Sequence, residues 1–241
     1  MKTQRHQKII EILEKQQFAT VTQLASTLFV SLPTIRRDLA MLEKSGLIRR
    51  SHGGACAKGV GEDTPFDYRT GKVPQVKLNM SRAAASLIED GDTVFIDGST
   101  SCLHIADGIS HLNNVTVVTN GVRLLEKLMR LDNITVYSTG GQLIKSSQSF
   151  AGMRAQLFVT DFYFDKMFFS SSALDEKGNI TDYSLAETQL RRSVFERSRK
   201  KIFLCDKSKY GTTCGYFVAS VGDIDTVVSD MNINAGENIV V

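Results

Sequence analysis

At 241 residues, 42% of them hydrophobic and 23% charged, the chain is long enough for two domains and can bury a real core. No run approaches the roughly 18 uncharged apolar residues of a membrane helix, no apolar signal core follows the charged start MKTQRHQKII, and four scattered cysteines without a C-x-x-C pair argue against a zinc site or disulfide framework. The formal charge of +3 is unevenly spread: residues 1–58 carry ten Lys/Arg against four Asp/Glu, and the remainder nineteen against twenty-two, so a polyanionic partner is expected for the first segment alone.

From Gln4 to Gln17, Ile9, Ile10, Ile12 and Leu13 recur near helical spacing among Lys and Glu, which predicts a first helix. Thr20 followed by Gln23 is a capping-box pattern, and Val21, Leu24, Ala25 and Leu28 then share one face of a second, two-turn helix. Ser31 is a good N-cap with Pro33 in the first turn behind it. Ile35, Leu39 and Leu42 follow at i, i+4 and i+7, and Gly46 supplies the stop. That stripe leaves Thr34, Arg36 and Arg37 off the packed face, at the leading end of the third helix. LIRR and GGACA flank Ser51 and His52 as two short strands of a wing. Residues 1–58 therefore read as a winged helix-turn-helix. The polar, Gly-containing stretch AKGVGEDTPF lacks periodicity, and a linker is expected over 59–75.

Over 76–241, the apolar runs DTVFID, VTVVTN, ITVYSTGG, KMFFSSS, KKIFLCD and DTVVSD alternate with helical patterns at Met80 to Ile88, Cys102 to Ile109, Val122 to Met129 and Ala186 to Ser198. Apolar strands separated by helices predict an α/β domain built on a mostly parallel sheet covered on both faces.

A helix-turn-helix sets the N-terminal half of its second helix against base edges in the major groove, where arginine can bridge guanine O6 and N7 or neutralise a phosphate. A solvated arginine pair is the bland alternative. Position, the basic segment and the downstream wing together favour duplex DNA. The candidate contacts are Thr20, Ser31, Thr34, Arg36, Arg37 and His52.

The run VSLPTIRRDL and the following HGGA resemble the signature of the DeoR-type bacterial repressors, with one departure: Phe29 stands where that family commonly has glycine. DGSTSCLHIA, TNG, STGG, DKMFFSSSALD and CDKSKYG extend the resemblance over nearly the whole chain. The resemblance implies an effector domain similar to sugar-phosphate isomerases and CoA transferases, a phosphorylated-sugar effector, an operator in double-stranded DNA, and a homo-oligomer, dimer or tetramer. It implies no catalysis and no cofactor.

The residues themselves fit such a pocket. Gly98, Ser99, Thr100 and Ser101 join a buried strand to a helix, where free N–H groups and hydroxyls suit a phosphate. Asn120, Gly140 and Gly141 come at carboxyl ends of other strands, the edge where open α/β sheets bind ligands. Asp97 and Asp206 could orient sugar hydroxyls, and Lys209 could supply a point charge. Arg191 is the nearest match to a lysine that the family carries after AET, though with Glu187 four residues earlier it could equally form a helical ion pair. The alternative function is a sugar-phosphate isomerase-like enzyme with a basic accessory domain. Glu187, Asp97 and Asp175 are available to it, but they form no paired constellation. His6, His104 and His111 have no partner in sequence. A cytoplasmic protein with reduced thiols, no metal and no membrane partner is expected.

Overall fold

The structure, a computed structural model, describes residues 2–16, 18–51, 53–57, 66–233 and 236–241. The chain divides into two compact units, Met1–Pro65 and Phe66–Val241.

The first unit comprises α1 (Lys2–Gln16), β1 (Phe18–Thr20), α2 (Val21–Leu28), α3 (Leu32–Lys44), β2 (Ile48–Ser51) and β3 (Gly54–Ala57). Its core is the three predicted helical stripes, Ile9, Ile10 and Leu13 with Leu24 and Ala25 and with Ile35, Leu39 and Leu42, closed by Ile48 and Ala55. The two wing strands pair antiparallel as expected, but β3 also pairs with β1, giving the order β1-β3-β2. A three-residue strand ahead of a helix leaves no periodic signal to read. Thr20 and Gln23 close a reciprocal capping box at the start of α2. At its end Phe29 takes a left-handed conformation (φ 53°).

The second unit runs α4 (Phe66–Gly71), α5 (Pro74–Ala85), β4 (Thr93–Ile96), α6 (Ile105–Gly108), β5 (Val115–Thr119), α7 (Val122–Leu128), β6 (Ile134–Ser138), β7 (Gln142–Ile144), β8 (Ser149–Ala151), α8 (Met153–Val159), β9 (Phe164–Phe169), β10 (Ala173–Leu174), β11 (Asn179–Asp182), α9 (Leu185–Phe195), β12 (Ser198–Cys205), β13 (Tyr216–Ser220), β14 (Thr226–Ser229) and β15 (Glu237–Val240). Seven strands form a wholly parallel sheet in the order β15-β14-β12-β9-β4-β5-β6. Strand alternation divides the core in two. Val94, Ile96, Val117, Phe168 and Leu204 point into one layer with Met80, Ile105 and Leu124 of α5, α6 and α7. Phe95, Val118, Phe169 and Phe203 point into the other with Val159, Leu190 and Val194 of α8 and α9. An antiparallel sheet, β10-β11-β13, adds Leu174, Ile180 and Val218 to that second layer.

The chain walks outward from β4 through β5 to β6, then returns to β4's other side with β9 and continues to β12. Strand order therefore reverses between β4 and β9, which opens a crevice at their carboxyl ends.

The expected linker is shorter on its C-terminal side. Residues 58–65 lie outside the described residues, but Phe66–Gly71 is helical and Pro74 already opens α5. Proline at the first turn of a helix loses no hydrogen bond, so Pro74 marks a start where periodicity alone pointed to Met80. The helix expected from Cys102 is regular only over Ile105–Gly108.

Candidate functional site

In the first unit α3 is fixed by its buried side and free on the other. Between Ile35 and Leu39, Asp38 is also buried. Its carboxylate accepts hydrogen bonds from Arg5 Nε at 2.6 Å and Nη2 at 3.1 Å and pairs with His6 Nε2 at 3.0 Å, tying α1 to α3. Burial pushes the Asp38 carboxyl up, but those bonds outweigh it and hold it below the usual range. Arg36 and Arg37 emerge on the opposite, exposed side. Ser31 caps α3, its Oγ 3.4 Å from the Thr34 nitrogen and 2.8 Å from Thr34 Oγ1. Thr20 Oγ1 is committed to Gln23, accepting from its backbone nitrogen at 3.1 Å. His52 lies outside the described residues. Sequence reading found no partner for His6, because Asp38 is 32 residues away.

In the second unit the carboxyl ends of β4, β9 and β12 converge. Asp97, directly after β4, is buried and accepts from Ser99 N at 3.1 Å, Ser170 N at 3.2 Å and Arg191 Nε at 3.1 Å. Arg191 comes from α9 and its Nη1 donates to Asp182 Oδ2 at 2.8 Å. The alternative of a helical ion pair between Arg191 and Glu187 gives way to these two carboxylates, while Glu187 accepts from Ser149 Oγ at 2.7 Å. Burial disfavours the Arg191 charge, but Asp182 and Asp97 outweigh it and raise the guanidinium above its ordinary value.

Lys209 donates to Ser170 Oγ at 2.6 Å and Ser101 Oγ at 3.4 Å, and stands 3.9 Å from Asp206. Asp206 in turn caps the short turn Lys207–Lys209 through Ser208. Burial raises the Asp206 carboxyl, yet Lys209 and Ser208 bring it below its usual range. Thr100 and Ser101 are buried in the same loop. Asn120 is a bridge: its Oδ1 accepts from Gly98 N at 2.8 Å and its Nδ2 donates to the Phe150 carbonyl. Gly98 and Gly121 meet backbone to backbone; a Cβ on Gly98 would stand 2.7 Å from Gly121 Cα.

The structure thus brings Asp97, Ser99, Ser101, Arg191, Asp206 and Lys209 to one place, with Gly98 and Asn120 buttressing the loop. Gly140 and Gly141 follow β6, the outer strand two places from β4. Gly141 lies against the Ala151 carbonyl and Ala155 there. Asp175 is occupied in its own turn by Lys177 and Asn179.

Lys77, Ser170 and Asp182 escaped sequence reading. Lys77 shares the buried stripe of α5 with Met80, Ser81, Ala84 and Ala85. Its place on that face, three, seven and eight residues before Met80, Ala84 and Ala85, shows only when α5 is taken to start at Pro74 rather than at Met80. Its Nζ donates to the Arg69 carbonyl. Burial, then Lys209, pushes Lys77 down to about 7. One turn on, Ser81 Oγ donates to the Ser101 carbonyl at 2.7 Å, so this face of α5 rests on the loop after β4.

The crevice is bipolar. One end holds the amine of Lys77 and the ammonium of Lys209 with hydroxyls of Ser101 and Ser170. The other holds Asp97, Asp182 and Glu187 around a single Arg191. A phosphate suits the first and a chain of hydroxyl donors the second. A separate cleft of about 430 Å³ includes Arg123 and Lys127 in its lining, but these are paired with Glu126 and Asp107. Cys102 and Cys205 are buried free thiols, and burial pushes Cys205 up to about 12.

Two family descriptions match this chain, a DeoR-like helix-turn-helix domain over residues 5–58 and a DeoR C terminal sensor domain over 72–231. The chain is 32% identical over 228 residues to the transcriptional repressor AccR of Agrobacterium fabrum, covering 94% of this chain and 88% of that protein. It is 30% identical over 228 residues to the glycerol-3-phosphate regulon repressor of Escherichia coli, covering 95% and 90%. To the HTH-type transcriptional regulator GolR of Listeria innocua it is 31% identical over 232 residues, covering 96% and 91%. Ribose 5-phosphate isomerase from Plasmodium falciparum superposes with a TM-score of 0.41 at 13% identity, over 58% of this chain and 53% of that one, too loosely to bear on function. With both halves matched in order and relatives aligned end to end, the chain belongs to the DeoR family of transcriptional regulators.

Proposed function

We propose that this protein is a DNA-binding repressor of carbohydrate-metabolism genes whose hold on its operator is controlled by a phosphorylated sugar. The observation that carries the DNA half is α3 itself: capped by Ser31, bolted by Asp38, and presenting Arg36 and Arg37 outward from the helix that a helix-turn-helix lays in the major groove. Relatives named as repressors, one of a glycerol-3-phosphate regulon, support the regulatory reading over the enzymatic one. As a dimer or tetramer the protein would engage half-sites about one helical turn apart, or a multiple of it.

In the sensor half, Lys209 and Lys77 would take the phosphate with the hydroxyls of Ser101 and Ser170. Asp97, Asp182 and Glu187 would accept hydrogen bonds from sugar hydroxyls, with Arg191 holding the first two in place. Effector binding shifts operator occupancy only through different affinities for two arrangements of the protein. The effector releases the protein from DNA. The test is Lys209→Ala, assayed by operator-fragment titration in the presence of sugar phosphates. Operator affinity without effector should match wild type, while the effector concentration needed for release should rise at least tenfold, since a charge-assisted bond of about 1.5–3 kcal/mol is lost. Wild-type sensitivity in the variant would place the phosphate elsewhere.

A further inference from the structure

Among the described residues of the crevice, Lys77 is a basic side chain whose surroundings oppose its own charge. Only 5% exposed, it has a backbone carbonyl as its hydrogen-bond acceptor and stands among charged groups on two sides. Arg69 and Lys72 face it from α4 and the turn after α4; Lys209 and Asp206 face it from the loop after β12. Asp206, the single carboxylate of that set, is already engaged with Lys209 and Ser208. A neutral amine keeps the bond to the Arg69 carbonyl and avoids both desolvation and repulsion from Lys209.

We propose that Lys77 takes up a proton when a phosphate-bearing effector enters the crevice, so that effector binding is proton-linked through this side chain. This rests on the effector reading above. A dianion beside Lys77 supplies the counter-charge that its protein neighbours do not, and it pulls the amine back toward the ordinary lysine value of about 10.4. The sign follows from where the free and bound forms differ. Below about pH 6 the amine carries its proton with or without ligand and no uptake occurs. Above about pH 7 the free form is mainly neutral and the bound form charged, so uptake approaches one proton and affinity falls with rising pH.

The experiment is titration calorimetry of the full chain with inorganic phosphate at about pH 9, where phosphate is almost wholly the dianion and brings no proton of its own, repeated in buffers of different ionisation enthalpy; the expected uptake is ~0.9 proton. Lys77→Arg, charged throughout, should bind phosphate with uptake near zero. Should arginine not fit, the wild-type affinity carries the same information, falling about tenfold per pH unit above about pH 8, where phosphate is already the dianion. Phosphate binding without uptake, or equal uptake in a folded Lys77→Arg, overturns the proton linkage and leaves the effector pocket standing. No phosphate binding at any pH removes the pocket reading itself, and the linkage with it.

Discussion

Arg36 and Arg37 face solvent, while Asp38 beside them is buried and engaged by α1. On a helix with Ile35, Leu39 and Leu42 inward, the carboxylate at position 38 lies on the buried side, and Arg5 and His6 of α1 give it the partners burial demands. The two preceding arginines then fall on the outer side by geometry. Replacing either by alanine should leave thermal stability unchanged and weaken specific operator binding by about 1–3 kcal/mol, relaxing one base position where the arginine reads guanine. Fluorescence anisotropy at matched salt measures it; unchanged affinity in both variants would remove α3 from the operator. These arginines, and likewise Asp206 and Lys209 in CDKSKYG, were legible because local sequence frames them. Lys77, Asp182 and Ser170 were not. Arg191 meets Asp97 across 94 residues and Lys209 meets Ser101 across 108, distances at which no spacing rule operates.

Among elements, those with a full period in sequence were readable: the three stripes of the first unit and the apolar strands β4, β5, β6, β9, β12 and β14 all lie where alternation and turn residues place them. What escaped is short or half-exposed. The helix α8 shows Met153 and Leu157 to solvent, β15 is an edge strand, and β7 and β8 have three residues each. Phe29 shows a different kind of cost. It ends α2 at φ 53° with its ring 93% exposed, a conformation that its Cβ disfavours and no burial offsets. Phe29→Gly should therefore stabilise the protein by about 1 kcal/mol in urea unfolding. A loss of stability would mean that the ring has a packing role the exposed geometry does not show.

At the scale of the whole molecule, the charge asymmetry and the division into two units agree: the first unit carries the excess of cations and the second the crevice at the β4–β9 reversal. That reversal explains why one sheet edge gathers the candidate site. Three loops, after β4, β9 and β12, come together there, and α5 and α9 each contribute a basic side chain, Lys77 and Arg191, from opposite faces of the sheet. The division of labour is open to one direct measurement, titration of the full-length protein with promoter fragments from its own genome at fixed ionic strength, with and without a panel of sugar phosphates. A specific complex that at least one sugar phosphate dissolves, and its unphosphorylated sugar does not, is the expected result. No specific complex under any condition, or one equally indifferent to every phosphorylated sugar, would contradict it.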